Sequence, residues 1–111
     1  MPIETVFAAV GDATRREIVE MLSRSDATVN ELAAPFEMSL QAVAKHVRIL
    51  QEAGIIKKKK IGRSHHCSLN RSALNDARDW MAALEKEWMQ RLDRLDDFLK
   101  DEAQQLRDEQ P

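Results

Sequence analysis

The chain has 111 residues, 43% of them hydrophobic and 32% charged, with a formal net charge of −2 and a single cysteine. That length fits one small domain, whose limited core leaves self-association as the natural source of further burial. The charge excludes a uniformly basic nucleic-acid coat and the lone Cys67 an intrachain disulfide; no apolar run approaches the roughly 20 residues of a membrane span.

No leader-like apolar stretch opens the chain, so a protein of the reducing cytoplasm is expected. Ile3, Val6, Phe7 and Val10 recur at three- and four-residue intervals and predict a short first helix ended by Gly11. Asp12 is placed to cap a second helix with Ile18, Val19 and Leu22 facing inward, and Ser23 to Ala27 reads as a polar turn. Thr28-Val29-Asn30-Glu31 has the form of a capping box opening a helix through Phe36. The next helix starts only three residues later at Ser39, the spacing of a helix-turn-helix. On it Leu40, Val43, Val47 and Leu50 fall on one side, while Gln41, Lys45 and Arg48 fall opposite.

Gly54 is placed to end that helix in a left-handed cap. Ile55-Ile56 then opens a β-rich stretch whose turn is expected at Gly62-Arg63. Along it Lys57 and Lys59 point one way, Lys58 and Lys60 the other. Asn70 or Ser72 is expected to cap a long helix from about Arg71 to Leu106 that contains neither Gly nor Pro. On this helix Leu74, Ala77, Met81, Leu84, Trp88, Leu92, Leu95 and Leu99 form a nearly heptad seam, flanked by Trp80 and Phe98. The expected architecture is mainly α with a small β-hairpin, a winged helix-turn-helix of order α1-α2-α3-α4-β-β-α5. It occupies one domain over residues 1–106, followed by a frayed tail at 107–111.

Charge is divided along the chain. Between Gln41 and Arg63 seven cations face Glu52 alone, whereas from Arg71 onward eleven acidic residues outnumber seven basic ones. A basic segment on an acidic remainder orients a molecule on a polyanion, because phosphate neutralisation rewards one surface and repels the rest. A helix in a major groove needs side chains that reach base edges and others that hold phosphates. Gln41 offers both donor and acceptor to adenine, and Lys45 reaches guanine acceptors or a phosphate. Thr28 and Ser39 stand near helix starts suited to phosphate oxygens, and Arg48 grips the backbone. Lys58, Lys60 and Arg63 form a wing, with Arg63 able to enter a narrow minor groove. Ala42 and His46 complete the residues expected at double-stranded DNA.

Phe7 to Ile18, Val29-Asn30-Glu31-Leu32-Ala33, Met38-Ser39, Val43-Ala44-Lys45-His46-Val47 with Leu50, Ala53-Gly54-Ile55-Ile56 and Gly62-Arg63 occur in an order and spacing that resemble the ArsR/SmtB family of winged-helix transcriptional repressors, over about residues 3 to 100. The resemblance implies a homodimer that binds an imperfect palindrome in or near promoters. The dimerisation residues expected are Ile3, Val6, Phe7 and Val10 on the first helix, with Met81, Leu84, Trp88, Leu92, Leu95 and Leu99 on the last. Family sensors often carry a Cys-x-Cys pair on the helix matching residues 28 to 36, or Asp and His ligands on the last helix. This chain has neither set, so the metal-sensing part of the family pattern does not transfer and no cofactor is expected.

Two other readings follow from the residues. His65-His66-Cys67 puts only His65 and Cys67 on one side of a strand, too few ligands for zinc unless His46 or a second chain adds to them, and a redox role needs a low thiol pKa. A metal- or redox-responsive repressor using His65 and Cys67 is that alternative. The other is a winged helix used for protein contacts, which would not need the Gln41, Lys45 and Arg48 stripe beside a basic wing. An enzyme is not expected, since the chain has no Gly-rich phosphate loop and no paired carboxylates in a plausible cleft.

Overall fold

Side-chain caps mark where the helices of the body begin. A helix leaves its first amides without partners, and an oxygen at the preceding residue supplies one. The Asp12 carboxylate accepts from the Arg15 amide at 3.1 Å, and the Ser39 hydroxyl accepts from the Ala42 amide at 3.1 Å. At Thr28 the exchange is reciprocal: its hydroxyl accepts from the Glu31 amide, and the Glu31 carboxylate accepts from the Thr28 amide, each at 3.1 Å.

The computed structural model describes residues 3 to 109. The elements run α1 (Ile3–Val10), α2 (Ala13–Arg24), β1 (Ala27–Thr28), α3 (Val29–Ala33), α4 (Leu40–Glu52), β2 (Ile56–Ile61), β3 (Ser64–Leu69) and α5 (Arg71–Asp108). The mainly helical architecture with a β wing agrees with expectation. After Ala77 the chain divides into two compact units, so α5 begins in one and continues through the other.

In the first unit, Ile18, Leu32, Val43, Val47, Leu50, Ile55 and Cys67 have no exposed surface, drawing α2, α3, α4 and the hairpin onto one core. Each such aliphatic side chain stabilises the fold by about 1.5–3 kcal/mol through burial. The strands form an antiparallel sheet in the order β1-β3-β2, with Ala27 opposite Cys67 and Lys58 opposite Cys67 on its other side. Gly54 (φ 78°) ends α4, and Gly62 (φ 61°) turns the two-residue hairpin loop. Both values lie in the left-handed region where a side chain is strained.

Several expectations are corrected. The helix opened by Thr28 ends at Ala33, not Phe36, because Pro35 has no amide hydrogen to continue the ladder; Phe36 instead donates to the Ala33 carbonyl in a turn. Part of the supposed polar turn is strand β1, too short for alternation to reveal. Leu40, expected inside, is 47% exposed, since the first residue of α4 stands at the edge of its inward face. Val6, expected at a dimer contact, is 4% exposed, because the chain's own core covers it. Asn70 turns its side-chain amide to the Gly54 carbonyl at 2.8 Å, tying the start of α5 to the end of α4. Finally, α5 continues to Asp108, and Gln110 and Pro111 of the expected tail lie outside the described residues.

The second unit is the rest of α5. Its Met81, Leu84, Trp88, Met89, Leu92, Leu95, Phe98 and Leu99 are 40–59% exposed. Ion pairs one turn apart, Asp96 with Lys100 at 2.9 Å and Glu87 with Arg91 at 4.0 Å, lie along the same helix. Among the described residues no helix is long and apolar enough to cross a membrane.

Candidate nucleic-acid interface

Helix α4 advances about 100° per residue, so Gln41, Lys45 and Arg48 project within a narrow sector. All three are exposed. The opposite sector carries Val43, Val47 and Leu50, each fully buried. Core packing therefore fixes which side of α4 meets solvent, and that side carries hydrogen-bonding and cationic groups. Ser39 is exposed at its start, and Ala42 is half-buried beside the stripe.

The hairpin stands beside this helix. Thr28 from α3's cap, Leu40 and Ala44 from α4, and Lys58, Arg63 and His65 from the hairpin line one open cavity of ≈ 330 Å³. The structure thus brings together three residues expected at DNA, Thr28, Lys58 and Arg63. Lys58 lies opposite Cys67 and Lys60 opposite His65 in the ladder, and directly opposed residues share a sheet face. Lys57 and Lys59 belong to the other face. Every lysine of β2 is exposed.

His46 is placed differently from the stripe. Its ring stands against the α1–α2 corner, with Nδ1 3.3 Å from Arg15 Nη1 and 3.9 Å from Asp12 Oδ2. Sequence reasoning missed Asp12 and Arg15 as partners of α4. The signal available was Asp12 itself, read only as a helix cap.

The electrostatics follow from these contacts. The Arg15 amide holds the Asp12 carboxyl below its ordinary pKa of 3.8, helped by the charge of Arg15. The Thr28 amide does the same for Glu31, helped by its hydroxyl. Burial pushes the Cys67 thiol above its ordinary 9.0, against a smaller opposing pull from Lys58. His65, one alternate position away, is exposed where Cys67 is buried. Among the described residues no group of three or more His, Cys, Asp or Glu side chains gathers at metal-binding distance.

A capped two-helix unit, a cationic stripe on its second helix and a lysine-bearing hairpin beside it define a winged helix-turn-helix DNA-binding protein. Residues 10–59 match the family model described as a helix-turn-helix domain. The chain is 34% identical over 79 residues to the transcriptional repressor SdpR of Bacillus subtilis, a match spanning 71% of this chain and 88% of that one. Among solved structures, an ArsR family transcriptional regulator superposes with a TM-score of 0.73 at 36% identity, covering 77% of this chain and 93% of that one. An ArsR-like transcriptional regulator from a Rhodococcus species gives a TM-score of 0.73 at 33% identity, covering 86% and 91%. The chain belongs to the ArsR/SmtB family of transcriptional regulators.

Proposed function

We propose that this regulator is a cytoplasmic repressor that binds an imperfect palindromic operator as a homodimer, placing two copies of α4 in successive major grooves about one DNA turn apart. The observation that carries this reading is the division of α4. Val43, Val47 and Leu50 are wholly inside, which leaves Gln41, Lys45 and Arg48 outside as the groove-facing set. In this reading Gln41 reads a base, Lys45 and Arg48 hold phosphates or a guanine edge, and Ser39 and Thr28 meet the backbone near helix starts. Lys58 and Lys60 share one face of the wing, Lys58 and Arg63 line a cavity with Leu40 and Ala44 of α4, and in this reading all three lie along the flanking phosphates and minor groove.

Binding measured against salt, on random duplex and on duplex selected by the protein itself, tests the assignment. Lys45→Ala and Arg48→Ala are expected to weaken binding to both, each lowering the salt slope by about 1 where a phosphate contact is lost. Gln41→Ala is expected to relax preference at one position in each half-site, by about 1–3 kcal/mol. Unchanged affinity and preference in all three variants would remove α4 from the interface.

A further inference from the structure

Position 46 lies roughly 130° around α4 from the centre of the Gln41, Lys45 and Arg48 stripe, closer to the buried side than to the exposed one. The His46 side chain is 23% exposed. What it meets there is Arg15, each of whose three guanidinium nitrogens has a partner. Nε donates to the Ala9 carbonyl, Nη2 reaches the Ala8 carbonyl at 3.5 Å, and Nη1 stands 3.3 Å from His46 Nδ1. Ala8 and Ala9 belong to the last turn of α1, where carbonyls have no partner within the helix. Arg15 therefore joins the end of α1 to the middle of α4.

The chemistry of this contact fixes the state of the ring. A guanidinium only donates and stays protonated, so at Nδ1 the imidazole must accept. That is the neutral tautomer carrying its proton on Nε2. The Asp12 carboxylate, whose Oδ2 caps α2 through the Arg15 amide, lies 3.9 Å from the same Nδ1. Among the described residues the ring atom with partners is Nδ1, and those partners belong to the α1–α2 corner.

We infer that His46 is a positioning residue for DNA binding: its Nδ1 accepts from Arg15 and so sets the rotation of α4 about its axis, while the reading of bases is left to the stripe. Packing by Val43, Val47 and Leu50 chooses which side of α4 faces inward, but aliphatic contacts tolerate small rotations; a directional bond to a guanidinium held at two carbonyls does not. A rotation of a few degrees displaces the tips of Gln41 and Lys45 by more than hydrogen bonds to base edges allow. The inference rests on α4 being the groove-bound helix.

Asparagine and glutamine separate this role from a direct DNA contact. The Asn side chain can set its Oδ1 where the ring has Nδ1, whereas Gln places its polar atoms near the position of Nε2. The test is the affinity of full-length His46→Asn, His46→Gln and His46→Ala for a duplex that the wild-type protein recovers from a random pool, measured well below each variant's melting temperature. The expected order is His46→Asn within about twofold of wild type, and both His46→Gln and His46→Ala weaker on the order of tenfold. Restoration by Gln but not Asn would assign His46 to DNA through Nε2 and overturn the inference. So would equal affinity in all variants, or an Asn variant as weak as the Ala one. Lys45→Ala in the same assay keeps the two readings apart, because its failure to weaken binding would remove the α4 interface itself, whatever the His46 series shows.

Discussion

Cys67 has no exposed surface and sits between Ala27 on one neighbouring strand and Lys58 on the other. A thiolate is the reactive form of cysteine, and burial opposes it more than the Lys58 charge favours it, so the folded thiol stays protonated at neutral pH. Its role is that of a small apolar side chain in the sheet's inner face. Titration with a chromogenic disulfide reagent at pH 7.5 is therefore expected to proceed slowly in the native protein and rapidly once denaturant is added. Fast native reaction, at a rate close to that of free cysteine, would show an accessible thiol and reopen a redox role. His46 gives a second lesson at this scale. The sequence puts it among the residues expected at DNA, and nothing in the spacing shows that Arg15, 31 residues earlier, reaches it.

At the scale of elements, what was legible in the sequence depended on local chemistry. The caps at Asp12, Thr28 and Ser39 are set by a short polar side chain and the amide three residues on, so their positions follow from neighbours in sequence. The turn at Gly62 is likewise local. Strand β1 was not legible, since two residues show no alternation and pair only because β3 returns beside them. Leu40 and Val6 failed for a related reason: periodicity gives a helix its sides, but the limits of burial come from whatever packs across it. The capping box of α3 carries a pH consequence. Glu31 is held below its ordinary pKa of 4.5 in the fold, so it favours the native state above that value and loses this contribution as pH falls through its lower folded value. Thr28→Ala removes the hydroxyl's share of the shift and leaves the larger share that comes from the amide of residue 28. The variant is expected to be less stable by about 1 kcal/mol at neutral pH and to lose less on acidification from pH 5 to 3. Denaturant unfolding at both pH values measures this, and parallel losses in the two proteins would show that the box does not govern the acid response.

For the whole molecule, α5 poses a problem that one copy of the chain does not solve. Its 38 residues make a helix about 57 Å long, yet its buried positions are only Ala73 and Ala77, near its start. Beyond these, Met81, Leu84, Trp88, Leu92, Leu95 and Leu99 repeat at three- and four-residue steps and remain 40–56% exposed. A contiguous apolar stripe of this length is uncommon on a monomer, and pairing with the same stripe of a second chain buries both at once through a twofold contact. Trp88 and Leu92 lie in the middle of that stripe. In the proposed homodimer, replacing both with Asp sets charge against charge across the seam, and leaves untouched the core around Ile18, Leu32 and Leu50 in the other compact unit. The double variant is expected to sediment as a monomer while its body keeps a cooperative thermal transition. On selected duplex it should bind more weakly, with a salt slope near half that of the wild type because only one set of phosphate contacts remains. A variant that still sediments as a dimer would remove the α5 seam as the dimer contact, whereas one that is monomeric yet keeps the full salt slope would show that a single copy supplies the whole footprint.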